Sequence, residues 1–255
     1  MDEFRFLELS THDAFHNMAI DESIMLSIKE DESPPTLRFY RWNPSAVSIG
    51  TFQGMTEEVD IEFCRKRKID AIRRITGGGA VYHDYEGEIT YSIIMPKSHR
   101  LAPVDIFESY GLICAGIIRG LDILGIPSEF KPINDIVSGN KKISGNAQTR
   151  KHGCLLQHGT VLLDLDVELM FSILKVPKEK ISDKMIADVK ERVTSIRDIL
   201  GSNISIESLR EALAQGFSEG LCIDLVSDAL TTKEKDRVEE LVRHKYATKD
   251  WNFSR

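Results

Sequence analysis

The chain has no apolar run approaching the roughly 18 residues a membrane-spanning helix needs, and no charged-then-apolar leader, opening instead on the acidic Met1-Asp-Glu-Phe-Arg. A cytoplasmic protein is expected. Cysteine is scarce: Cys64, Cys114, Cys154 and Cys222 lie far apart without a C-x-x-C pair, which excludes a disulfide scaffold and fits a reducing compartment. His152, Cys154 and His158 match no zinc spacing. Phosphate-loop spellings are missing as well. The nearest, Gly120-Leu-Asp-Ile-Leu-Gly125, has Ile126 where a P-loop needs lysine. Positive charge is also short, with Lys plus Arg at 33 against 40 for Asp plus Glu and a net charge of −7, which excludes a broad nucleic-acid surface. The local run Arg65-Lys66-Arg67-Lys68 reads as a solvated helix face.

What is present suits one large domain: 255 residues, 42% hydrophobic and 29% charged. Phe15, Met18, Ala19, Met25 and Leu26 share a face from Ala14 to Lys29, predicting an amphipathic helix that Pro34-Pro35 stops. Thr36 to Trp42 and Ala46 to Ile49 read as strands around the Asn43-Pro44 turn. A charged helix is expected from Glu57 to Arg67, then a strand from Ile69 to Arg74, and a core strand over Glu88 to Met95. Val104 to Gly125 carries the clearest helical spacing, with Gly111, Gly116 and Gly120 allowing close packing on a sheet. Cys154 to Asp164 is strand-like. Beyond Asp166 the pattern turns helical, over Glu168 to Leu174, Asp183 to Leu200, Ile206 to Leu221 and Thr232 to Tyr246. Residues 1–180 are thus expected to form the core and 181–255 a helical extension of the same domain.

Two stretches carry chemistry. In Arg73-Arg74-Ile-Thr-Gly77-Gly78-Gly79-Ala80-Val81-Tyr82-His83-Asp84, three glycines let backbone N–H groups approach a ligand, and arginines flank the turn. Such a strand-to-strand loop suits an anionic ligand. In Asn134-Asp135 through Lys142-Ile-Ser144-Gly145-Asn-Ala147-Gln148, a hairpin containing Gly139-Asn140 places Lys142 on a strand beside small residues. There is room for a ligand next to that ammonium.

The two stretches in this order resemble the lipoate-protein ligases, within the wider biotin and lipoate ligase and octanoyltransferase family. Leu37 to Trp42, Val47-Ser48-Ile49-Gly50 and Gln157-His158-Gly159-Thr160 match the family's other strands, so the resemblance spans nearly the whole chain. It implies an α+β fold, a mixed β-sheet flanked by helices like the core of biotin ligases and class II tRNA synthetases. It also implies ATP-dependent activation of lipoate, or octanoate, and transfer of the acyl group to a lysine of a lipoyl carrier domain, as in 2-oxoacid dehydrogenase complexes or the glycine cleavage H protein. Carried onto this sequence, Arg74, Gly79, Ala80, Val81 and Tyr82 hold the adenylate, Gly77 and Gly78 shape the turn, and Lys142 contacts both acyl carbonyl and phosphate. Asn134 and Asp135 are the residues offered for Mg²⁺. Asp84 and His83 stand open as bases.

Two alternatives follow from the same resemblance. The octanoyltransferase branch carries its acyl group on a cysteine, either just before the Lys142 motif or in a Pro-Cys-Gly context after the His158 strand. Neither Glu129 to Asp135 nor Leu174 to Lys178 contains one. Cys154, beside His152 and His158, is the only thiol near the motifs, although Trp42-Asn43-Pro44 and Ala147-Gln148-Thr149-Arg150 look like that branch. The second alternative is a lipoyl-handling subunit, inactive alone, because longer ligases carry a C-terminal accessory domain for which this chain is too short. A separate accessory subunit is the implied partner.

Overall fold

The structure is a computed structural model, and it describes residues 1–175, 190–201 and 204–255. The chain runs β1 (Asp2–His12), α1 (Ala14–Lys29), β2 (Thr36–Trp42), β3 (Ala46–Ile49), α2 (Met55–Glu58), α3 (Ile61–Arg67), β4 (Asp70–Arg73), β5 (Val81–His83) and β6 (Glu88–Pro96). It continues through α4 (Ile106–Ile123), β7 (Glu129–Lys131), β8 (Asp135–Ser138), β9 (Lys141–Lys151), β10 (Cys154–Leu162), α5 (Val167–Ile173) and α6 (Ile196–Leu200). The last elements are α7 (Ile206–Leu221), β11 (Ile223–Asp228), α8 (Thr232–Leu241), a π turn (Val242–Tyr246) and α9 (Lys249–Asn252).

Among the described residues, eight strands form one mixed sheet in the order β11-β1-β2-β6-β10-β9-β8-β7, and β4-β3-β5 form a second, small sheet. The pairs β11-β1 and β1-β2 are parallel, while the rest of the large sheet is antiparallel. Helices α4 and α7 cover one face, with Ile113, Ile117, Leu213 and Phe217 in that core. The other face packs on α1. This is the expected mixed sheet flanked by helices.

Several elements differ from expectation. Helix α1 is buried on nearly every side, polar residues included, because it lies between the sheet and α8. Its Asp21 and Asn17 face Arg38, whereas Glu22 and Ser23 face Lys245 and Glu234 on the C-terminal side. The charged helix after Gly54 is two helices, since the Asp60 side chain accepts from Phe63 N–H and starts a second one. The glycines of α4 serve a helix crossing as well as the sheet: a Cβ on Gly216 would lie 2.3 Å from the Gly120 nitrogen, and one on Gly116 2.7 Å from Phe217. The tail is not wholly helical, because β11 completes the sheet edge beside β1. The helix expected over 183–200 lies partly outside the described residues, and its end is α6. No described helix is long and apolar enough to cross a membrane.

Candidate active site

The glycine loop joins β4 to β5, and both strands pair with β3. It is moulded onto the turn that follows β3. A Cβ on Gly50 would sit 2.1 Å from the Gly78 carbonyl oxygen, Thr51 N–H donates to Thr76 O at 2.8 Å, and Gly78 has φ of +97°. Glycine is required at 50 for approach and at 78 for conformation.

The loop borders a cavity of about 300 Å³ whose walls include Trp42, Arg74, Gly78 to His83, Lys142, Asn146 and His158. Both stretches singled out in the sequence therefore meet at one place. Gly77 and Asp135 do not line the cavity: the Gly77 carbonyl accepts from Arg74, and Asp135 pairs with Lys142. A second cavity, of about 420 Å³, shares Leu165 but is walled by Asp84, Glu86, Asp164, Asp166 and Glu168, its two cations, Lys190 and Arg197, being already paired with Glu168 and Asp164. Carboxylates repel a carboxylate or phosphate, so the first cavity is the candidate site.

Arg74 is 4% exposed, and burial lowers its pKa to about 10, which leaves it charged at neutral pH. All five N–H donors of a guanidinium have partners: Nε reaches Thr76 Oγ1 at 3.1 Å, Nη1 the Ser48 carbonyl and hydroxyl at 3.1 and 3.0 Å, and Nη2 Gly77 O and Gly79 O at 2.8 and 2.7 Å. The residue expected to grip the adenylate is here the brace of the glycine loop. Any grip on a ligand requires it to exchange one of those bonds.

Two histidines flank this brace in matching fashion. Thr76 Oγ1 is 2.7 Å from His158 Nε2, and His158 Nδ1 is 3.4 Å from Asp21 Oδ2. Ser48 Oγ is 2.9 Å from His83 Nε2, and His83 Nδ1 is 2.7 Å from Glu88 Oε1. Since Arg74 donates to both hydroxyls, each hydroxyl proton is free to point at Nε2, which sets the Nδ1–H tautomer toward the carboxylate. His83 also stacks on Trp42 at 4.1 Å. Asp84 accepts from Tyr82 OH and Glu86 N–H. Both residues left open as bases are thus held by their neighbours, His83 beneath the site and Asp84 in its own turn.

Lys142 Nζ stands 2.6 Å from Asp135 Oδ1, with side chains 40% and 35% exposed. The lysine folds across Gly145, where a Cβ would come within 2.8 Å of Nζ. Its strand is held by the hairpin, Gly139 and Asn140 both having positive φ, and by Thr194 N–H donating to Lys142 O at 2.9 Å. Asn146 lies beside it, its Oδ1 accepting from Tyr91 OH at 2.7 Å and its Nδ2 donating to Asn134 O at 2.9 Å. Sequence reasoning missed Asn146 and Asp21, and weighed His158 only as a zinc ligand, as a partner of Cys154 and as part of a family strand. Asp135, offered for Mg²⁺, stands here as the counter-ion of Lys142. Among the described residues no group of three His, Cys, Asp or Glu could hold a metal ion, whereas a Mg²⁺ carried on substrate phosphates needs only one or two protein carboxylates.

Burial pushes the imidazoles of His12, His99 and His158 down. Burial alone would raise the Asp21 carboxyl, yet the hydrogen bond to His158 and the Arg38 guanidinium hold it below its ordinary value. Both directions have one sign in linkage, since the unfolded chain takes up protons before the folded one does. Stability is then full above about pH 6.5 and falls as the histidines protonate in the unfolded state, by at most about 1.4 kcal/mol per pH unit per proton. A further loss begins below about pH 4, from Asp21. Urea midpoints should fall between pH 7 and 5, less steeply in His158→Gln. An unchanged slope in that variant would mean His158 contributes nothing to it.

The profile of the lipoyl protein ligase A/B catalytic domain matches residues 13–218. The octanoyltransferase LipM of Brevibacillus brevis is 36% identical, covering 100% of both chains. A solved bi-partite lipoate protein ligase from Thermoplasma acidophilum superposes with a TM-score of 0.88 at 35% identity, covering 99% of this chain and 96% of that one. A lipoate-protein ligase A bound with ATP gives 0.84 at 33% identity, with 99% of each chain covered. The curated relative's name favours the octanoyltransferase alternative over the ligase expected from the motifs. On that catalytic-domain match and these full-length likenesses, the chain belongs to the lipoate ligase and acyltransferase family.

Proposed function

We propose that the chain activates lipoate, or octanoate, with ATP and passes the acyl group from the resulting acyl adenylate to a lysine of a lipoyl carrier domain. The observation that carries this reading is the position of the thiols. None of Cys64, Cys114, Cys154 and Cys222 lines the cavity, whereas Lys142 does. Burial pushes Cys64 up to about 11 and Cys114 up to about 12. Cys154 is raised as well, and its Sγ faces Met25 O at 3.5 Å, at the far end of β10 from the cavity. A nucleophilic cysteine needs the opposite shift and access to substrate. A carboxylate bound without a protein thiol has to be activated elsewhere, and a phosphoanhydride supplies the leaving group.

In this scheme Lys142 stabilises negative charge on the acyl carbonyl and the phosphoryl oxygens, and the loop offers N–H groups to the phosphate. Mg²⁺ arrives on the nucleotide's phosphates, in keeping with its preference for few protein carboxylates. The apolar wall formed by Trp42, Met18 and Val81 takes the acyl chain.

The second reading, octanoyl transfer from a carrier thioester, is favoured by the curated relative's name. Intact mass of a lipoyl domain decides between them, with ATP plus lipoate in one arm and octanoyl carrier protein without ATP in the other. ATP-dependent lipoylation is expected, unchanged in Cys154→Ala. ATP-independent octanoylation lost in Cys154→Ala would install the transferase. The bi-partite architecture of the Thermoplasma protein motivates a third arm: a separate accessory subunit is expected to raise the ATP-dependent rate, and full activity of the chain alone would remove that partner from the scheme.

A further inference from the structure

The C-terminal helix α9 touches the site machinery through β4, an edge strand of the small sheet. Arg73 N–H donates to Asn252 Oδ1 at 2.9 Å, and Trp251 Nε1–H donates to Arg73 O at 2.8 Å. Two side chains stand where a neighbouring strand would be. The Arg73 side chain, in a residue 1% exposed, runs back the other way. Its Nε donates to Trp251 O at 3.0 Å and its Nη2 to Asn252 O at 3.1 Å. Nη1 reaches Gln53 O at 2.6 Å, Thr51 O at 3.2 Å and Gly50 O at 3.3 Å. Asn252 is itself fixed, its Nδ2 donating to Tyr246 O at 2.7 Å and Thr248 O at 2.9 Å.

The turn Gly50 to Gln53 that Arg73 gathers is the one against which the glycine loop is moulded. Gly50 abuts the Gly78 carbonyl, Thr51 N–H holds Thr76 O, and Arg74 N–H holds Ile49 O at 3.0 Å. We propose that Trp251 and Asn252 are positioning residues for the glycine loop, acting through Arg73 on the turn at Gly50 to Gln53. They touch no reacting atom. Their effect is to keep the loop's N–H groups aimed into the cavity, so their loss weakens substrate binding more than it slows chemistry.

The test uses the full chain carrying Asn252→Ala or Trp251→Phe, the second keeping an aromatic ring in place while losing the indole N–H and the second ring. Amide hydrogen exchange is the first readout, and it does not depend on the ligase reading. Exchange at Thr51 and Arg74 is expected to quicken about tenfold while Leu155 and Leu156 in β10 keep the parental rate, the signature of local opening. The second readout rests on the proposed function: in ATP-dependent lipoylation the KM for lipoate should rise about tenfold with kcat within about twofold of the parent. Parental exchange at Thr51 and Arg74 would overturn the proposal. So would acceleration of every amide together, β10 included, since that reports only a weakened fold. Should Asn252→Ala fail to fold, Trp251→Phe carries the test, and a parent without ligase activity leaves the exchange comparison to decide.

Discussion

Lys142→Ala should slow acyl transfer by about 10²–10³-fold while leaving thermal stability nearly unchanged. The asymmetry follows from where the ammonium sits. Its ion pair with Asp135 is partly exposed, and pairs of that kind contribute about 0–1 kcal/mol to folding. Facing the cavity, the same charge meets the carbonyl and phosphoryl oxygens as they become more negative, where a fixed donor contributes about 3–4 kcal/mol. The variant also leaves Asp135 uncompensated beside the substrate's anionic groups, so the KM should rise as well. Initial rates from intact mass, paired with a thermal melt, check both halves. A loss under about tenfold, below the cost of removing one fixed oxyanion donor, would take Lys142 out of the catalytic role.

Gly50→Ala should cost about 3 kcal/mol of stability or displace the glycine loop, and either way activity falls by about 10²-fold, the penalty of a misplacement near 1 Å. The obstacle is rigid, because the methyl group would lie 2.1 Å from a backbone oxygen and no side-chain rotation can clear it. Gly79→Ala is the matched control. It meets nothing within 4 Å, so the fold should tolerate it, but Gly79 borders the cavity and the methyl takes ligand space. Gly79→Ala is expected to keep the parental melting temperature and to raise the KM. Equal melting temperatures for all three proteins would show that the loop yields at Gly50.

The parts legible in the sequence were local. The bounds of α1, β2, β3 and α7 agree with their hydrophobic spacing, and the Gly139-Asn140 turn announced the hairpin that carries Lys142. Arg74 shows where such reading stops, because an arginine beside three glycines reads as a ligand grip. Its guanidinium is spent on the loop itself, on Thr76, Gly77 and Gly79, and on Ser48 of β3, partners that a motif does not reveal. Asp21, Arg38 and His158 meet only after α1, β2 and β10 have packed, and no short window contains two of them. Helix α1 read as amphipathic because polar residues ordinarily face water, whereas here they are buried against partners on two sides. The strand β11 sits at the foot of a helix-rich tail, and its partner β1 is at the opposite end of the chain.

That last pairing bears on how the molecule is made. Residue Asp2 sits opposite Ile223 and Leu7 opposite Asp228, so β1 keeps an uncovered edge until a strand far downstream of it has been synthesised. Sheets closed by such distant segments form late, and an uncovered strand edge in the meantime is a site for pairing with another chain. Charged residues at Asp2, Glu3, Arg5 and Glu8 line that waiting strand, where they discourage association between nascent chains until β11 arrives.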